Sequence, residues 1–157
     1  MRLRSPHFLH ILLAIALAVF GYGMFFITLA PIPVPLLEAS GRVTSAEAHR
    51  RKGSIQTIYF SVHGSTRRFA YPGILPRIDA VWSSLALGSD ATVLYADKDL
   101  STDVVDVWGL TVDGRYIVQP QESYGARRKN GYWGLAIGIA FTLSAAYIWL
   151  KGGKRAA

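Results

Sequence analysis

The chain contains no cysteine. That excludes a disulfide framework, a thiolate metal site and a cysteine nucleophile, and it leaves the redox character of the compartment open. Charge is missing from two long stretches: residues 8–30 and 131–150 hold no Asp, Glu, Lys or Arg. A surface helix of a soluble protein carries charge on one face, so neither stretch reads as one. Acidic residues are missing from both ends. All 10 lie within 31–130, together with 12 of the 17 basic residues, so that segment has a net charge of +2 out of +7 for the chain. The other cations are Arg2, Arg4, Lys151, Lys154 and Arg155, which flank the apolar runs. No basic stripe forms, and this argues against a nucleic-acid partner.

Catalytic and metal-binding patterns are scarce as well. The histidines are His7, His10, His49 and His63, and none belongs to an H-E-x-x-H pattern. No nucleophile elbow, phosphate-binding glycine loop or kinase motif set occurs. The acidic run "DKDLSTDVVD" gathers Asp97, Asp99, Asp103 and Asp106. A calcium loop starting at Asp97 would need Gly at its sixth position and Glu at its twelfth, where Thr102 and Trp108 stand. The run reads as a solvated loop between strands, and no cofactor is expected.

What the chain does have is apolar length. At about 1.5 Å per residue, 8–30 reaches roughly 35 Å and 131–150 roughly 30 Å, each enough to cross a bilayer core. Tyr132 and Trp133 mark one end of the second run, and Tyr147 and Trp149 the other, as interfacial aromatics do. The start "MRLRSPH" resembles a signal peptide, and cleavage after "TLA" is the competing reading. The run is longer than a signal core, however, and Pro31 would follow the cut directly, so a retained span is expected. Arg2 and Arg4 place the N-terminus in the cytoplasm, and two spans return Lys151, Lys154 and Arg155 to the same side.

Between the spans, "PIPVP" reads as a stiff polyproline spacer, with a docking ligand as the alternative. The segments "GRVTSA", "SIQTIYFSV", "RRFAY", "ATVLYA" and "DVWGLTV-DG-RYIV" read as strands. Ile58, Phe60 and Val62 alternate with Thr57, Tyr59 and Ser61. Asp113-Gly114 suits a type I′ turn pairing Thr111 with Tyr116 and Leu110 with Ile117. Trp108 would then share a face with Leu110 and Val112. Ile78, Val81, Trp82 and Leu85 recur at helical spacing between Pro76 and Gly88. The expected fold is membrane α plus β: two transmembrane helices flanking a small, partly open barrel of OB or SH3-like size, with one short helix. The expected layout is 1–7 cytoplasmic, 8–30 first span, 31–40 linker, 41–126 β domain, 127–130 basic juxtamembrane segment, 131–150 second span and 151–157 cytoplasmic tail.

Gly134, Gly138 and Thr142 form a small-residue ridge on the second run, and Ala14 and Ala18 form one on the first. Such ridges let helix backbones approach closely. The candidates for the contact are the two spans of one chain, a homodimer, or a different membrane protein. Arg127, Arg128 and Lys129 beside the second span are candidates for lipid headgroups. Tyr22 could satisfy its hydroxyl against a neighbouring helix.

The segments "GRVTS", "IYFSVHG" and "GSDATVLY" resemble the bacterial membrane family catalogued as domain of unknown function 3592. That family reads a Gly-x-Val opening, an aromatic-rich strand ending in Gly, and a Gly-Asp strand ending in Tyr. Gly41 and Val43, Gly64, and Gly88, Asp90 and Tyr95 stand at those positions. Ser89 intervenes between the Gly and the Asp, and no proline follows Tyr95. The resemblance implies a bacterial membrane protein and brings no catalytic residues, while the two apolar runs, Pro31 and the charge asymmetry lead to the expectation of a multi-pass inner-membrane protein with 31–130 extracytoplasmic. The expected function is a non-enzymatic binding or accessory module, held in the lipid bilayer and contacting another envelope protein. An immunity-type subunit is the alternative, and so is an enzyme using the 97–106 carboxylates with His63.

Overall fold

A computed structural model describes residues 6–96 and 102–153. The elements are α1 (Pro6–Thr28), β1 (Leu36–Arg51), β2 (Ser54–Val62), β3 (Arg68–Pro72), α2 (Ile78–Ser84), β4 (Asp90–Ala96), β5 (Val104–Val112), β6 (Arg115–Val118) and α3 (Pro120–Gly153). Contacts divide the chain into two units. One is Met1–Ala30 with Arg128–Ala157, and the other is Pro31–Arg127.

In the β unit the strands form one six-stranded sheet in the order β3-β2-β1-β4-β5-β6. A further parallel contact, from Arg68↔Val104 to Ala70↔Asp106, joins β3 to β5. The pairings therefore run round a circuit β1-β2-β3-β5-β4 and back to β1, while β6 stands outside it. This is a sheet whose β3 edge touches β5 over a short parallel stretch, not a clean barrel. β1 makes the circuit possible by changing partner along its length. Its first half pairs with β4 as far as Arg42↔Asp90, and its second half pairs with β2 from Val43↔Val62 onward. β1 accordingly begins at Leu36, earlier than the expected start at Gly41, and shortens the linker. The prolines that stiffen 31–35 stop where β4 supplies a partner for Leu36.

The core lies inside this circuit. Ile58, Phe60 and Val62 of β2 are fully or almost fully buried, as the alternation requires. Ala46 and Ala48 oppose Phe60 and Ile58, so small residues on β1 make room for large ones on β2. Phe60 and Phe69 pack with ring centroids 5.6 Å apart. α2 buries Val81, and Leu85 at its C-cap is also buried. Its N-cap Arg77 adopts φ 58°, so the helix opens at Ile78.

Two pairings depart from the simple hairpin expectation. Asp113 and Gly114 do have positive φ, 49° and 74°, and Thr111 does oppose Tyr116. Leu110, however, opposes Val118 and not Ile117. The shift lets Val118 bury beside Leu110 in the core. On the other side of β5, Leu94 opposes Gly109 while Tyr95 opposes Val107, which leaves Trp108 as the extra residue of a bulge. Trp108 is therefore outside the core cluster that holds Val107, Leu110 and Val112.

α3 starts earlier than the second apolar run. Pro120 occupies the first helical position, and the Gln119 amide donates to Glu122 Oε2 at 2.9 Å. Proline at N1 and glutamate at N3 are helix-start signals, and here they precede the apolar stretch by several turns. The basic segment 127–130 is consequently helical, and the β unit ends inside a helix.

Candidate functional site

In the helical unit, α1 and α3 meet through glycine. A Cβ on Gly21 would sit 2.6 Å from both the Gly134 oxygen and the Gly138 nitrogen. A Cβ on Gly134 would lie 2.8 Å from the Gly21 oxygen, and one on Gly138 would lie 3.0 Å from the Tyr22 ring. A Cβ on Gly131 would collide with Thr28. Gly134 and Gly138 thus contact Gly21, Tyr22 and Met24, and the pairing is within one chain. Ala14 and Ala18 are buried but are not the residues facing Gly134 and Gly138. The antiparallel register explains the offset: Thr28 meets Gly131, so Gly138 meets the turn of Gly21 and Tyr22. Thr142 donates to the Gly138 carbonyl at 2.8 Å, so its proton is committed. Tyr22 must then be the donor in its 3.2 Å bond to Thr142 Oγ1. Within "GYG" at 21–23 the sequence marks Tyr22, whereas Gly21 beside it, outside the Ala14 and Ala18 ridge, makes the glycine contact.

Both helices are long and apolar enough to cross a membrane, and only 17% and 11% of their most apolar windows are buried. Leu9, Leu13, Val19, Phe20, Phe26 and Ile27 of α1 point outward, as do Leu143, Trp149 and Leu150 of α3.

The basic segment divides. Arg127 belongs to the packing of the β unit: Nη1 donates to Asp106 Oδ2 at 3.0 Å, and the guanidinium lies 4.7 Å from the Trp108 ring centroid. Its side chain is 19% exposed, so it is not presented to a lipid phosphate. The bulge that turns Trp108 out of the core makes this stack possible. Arg128 lies over Tyr132 at 5.9 Å, and Arg128 and Lys129 are exposed. On the preceding turn Ser123 is fully buried, and Arg77 pairs with Glu122. Burial pushes the Tyr71 hydroxyl well above its ordinary pKa, and that hydroxyl donates to the Pro76 carbonyl.

The candidate catalytic residues are Asp97, Asp99, Asp103, Asp106 and His63. Asp97 and Asp99 lie outside the described residues, Asp106 is held by Arg127, and Asp103 and His63 are exposed. Among the described residues, no group of three or more His, Asp or Glu could hold a metal ion.

A groove of about 360 Å³ opens instead beside the first half of β1. It is lined by Glu38, Ala39, Ser40 and Tyr95 on one side and by Gly64, Ser65, Thr66 and Arg67 of the β2–β3 turn on the other. Ser40 Oγ donates to Glu38 Oε1 at 2.9 Å, so Thr92 is the donor in its 3.0 Å bond to Ser40. Arg67 Nη1 donates to the Thr102 carbonyl at 2.6 Å, and the Arg67 amide donates to Ser65 Oγ at 3.1 Å. Neither Glu38 nor Arg67 joins an ion pair among the described residues. Tyr95 is held edge-on against Phe69. The groove escaped the sequence reading because its two walls are far apart in the chain and meet only through the fold. No family model, curated protein or solved structure matches the chain.

Proposed function

We propose that this chain is a membrane-anchored, non-enzymatic binding or accessory module whose β unit contacts another envelope protein. In this reading α1 and the apolar part of α3 span the bacterial inner membrane as a hairpin. Both termini are cytoplasmic, and 31–130 lies outside the cytoplasm. The five-strand circuit is of the OB type, with the short helix α2 between β3 and β4. Relationship to the domain of unknown function 3592 family belongs to the same proposal.

The observation that carries it is the helix pair. Glycines bring the two backbones together, yet large apolar side chains face away from the contact on both helices. Water would not tolerate that outer surface, whereas lipid does. The charge asymmetry at the two ends supports the orientation. Binding is favoured over catalysis because the groove is lined by hydroxyls, one carboxylate and one guanidinium, and its Ser40–Glu38 pair has no histidine or lysine among the lining residues to complete a relay.

Alkaline phosphatase fused after Gly53 tests the topology. It should be active, and an inactive fusion with active reporters at the termini would invert the orientation. Photo-cross-linking residues at Glu38, Glu47, Leu87 and Tyr116 test the function in cells. At least one should give a discrete protein adduct, and no adduct at any site would sink the binding module.

A further inference from the structure

We infer that the groove beside β1 is an open strand edge that receives an extended peptide segment of the partner protein. The inference rests on the binding-module reading and names its site and mode.

The Arg42 carbonyl accepts from the His63 amide at 2.8 Å, so the main chain of Arg42 faces β2. Val43 faces β4, because its amide donates to Ser89 and its carbonyl accepts from Gly88, each at 2.9 Å. From Leu36 to Arg42, β1 pairs with β4 without a register shift. Successive residues of a strand alternate the side to which their N–H and C=O point. Ala39 and Leu37 therefore bond β4, while Ser40 and Glu38 turn their amides and carbonyls toward the β2 side. The β2 ladder begins only at Val43↔Val62. Among the described residues, no backbone bond reaches Glu38 or Ser40 from that side.

The strands part at Gly41. A Cβ there would stand 2.2 Å from the His63 oxygen, so β1 and β2 are in close contact at this residue. Beyond it β2 turns away into Gly64–Arg67, and the groove occupies the gap. An unpaired strand edge of about five residues spans roughly 16 Å, enough to bond a short peptide strand. Glu38 and Ser40 are exposed, so their groove-facing amides and carbonyls bond water in the free chain, and a peptide strand supplies donors and acceptors at the matching spacing. Charge sets the occupant's chemistry. Glu38 and Arg67, on opposite walls, have no ionic partner among the described residues, so the segment carries a basic side chain beside Glu38 and an acidic one beside Arg67. The hydroxyls of Ser65 and Thr66 suit a polar strand over an apolar one.

The test uses the full chain in lipid nanodiscs. Amide exchange followed by NMR should find Glu38 and Ser40 about tenfold or more faster than Leu37 and Ala39. Protected Glu38 and Ser40 amides in the free chain would mean that the edge is already covered and would overturn the inference. Phage-displayed random 12-residue peptides, a probe of that order of length for this edge, are then panned on the same preparation. Enriched peptides should protect both amides. They should lose about tenfold or more in affinity against Ser40→Pro, which removes a groove-facing N–H and leaves the β4 ladder intact. If Ser40→Pro does not fold, Glu38→Lys with Arg67→Glu replaces it and should select peptides of reversed charge order. Failure to enrich peptides, or peptides indifferent to these changes, overturns the groove. A cellular adduct that survives Ser40→Pro also overturns the groove but leaves the binding module standing.

Discussion

Gly114 has φ +74° and nothing within 4 Å of the place where a Cβ would be. A side chain there meets no clash, so any cost of substitution is backbone strain alone. Gly114→Val should lower the stability of the β unit by roughly 1–3 kcal/mol, while Gly114→Asn, which tolerates this conformation, should cost less. Chemical unfolding of the full chain in detergent reads the difference, and equal stability for all three would place the constraint elsewhere. Tyr71 is fully buried, and its hydroxyl donates to the Pro76 carbonyl. Burial, more than any neighbouring charge, raises its pKa in the folded state. An unfolded tyrosine ionises near pH ~10, so the stabilisation is fully present below that pH and is lost as pH rises above it. The unfolding midpoint should fall in the alkaline range, and Tyr71→Phe should flatten that fall even if it lowers the plateau. An unchanged alkaline slope in the variant would mean that Tyr71 does not titrate with unfolding.

Two glycines of α1 separate packing from composition at the scale of the helix pair. Gly21 is pressed against Gly134 and Gly138, whereas Gly23 has nothing within 4 Å of a built Cβ. Gly21→Leu should force α1 and α3 apart, and Gly23→Leu should not. Cysteines at Phe25 and Tyr132 report the contact, since these rings pack across the pair with centroids 5.9 Å apart and the native chain has no cysteine to interfere. A short bifunctional thiol reagent should cross-link them efficiently in the parent and the Gly23 variant but poorly in the Gly21 variant. Cross-linking indifferent to Gly21→Leu would refute this register. Tyr22→Phe removes the hydroxyl bond to Thr142 and should weaken the pair by about 0.6 kcal/mol, the typical worth of such a bond between membrane helices. A thermal scan of the cross-link-free chain measures it.

α3 gives its first turns to the β unit at the scale of the whole molecule. Ser123 is buried there, Ala126 packs against the core cluster, and Arg127 bonds Asp106 and Val107. A fragment of residues 31–129 should therefore unfold cooperatively in water, because its core and these contacts are complete. A fragment ending at Val118 should lose cooperativity or precipitate, having exposed the surface that α3 covers. If the two fragments melt alike, the first turns of α3 are dispensable to the unit.

Local chemistry made several features legible in the sequence. The apolar length of 8–30, the alternation of Ile58, Phe60 and Val62, the positive-φ pair Asp113-Gly114 and the spacing of Val81 and Leu85 all act over a few residues, so the chain alone determined them. The helix start at Gln119, Pro120 and Glu122 was equally local, and the pull of the later apolar run obscured it. Other features depend on residues that meet only after folding. The change of partner along β1 requires β2 and β4 to compete for one strand, and the bulge at Trp108 reconciles the core faces of β4 and β5. The commitment of Arg127 to Asp106 depends on where that bulge points Trp108. The groove of Glu38, Ser40 and Arg67 exists because β2 leaves β1 at Gly41, a divergence set by three-dimensional strand pairing and by no pattern in the residues that line it.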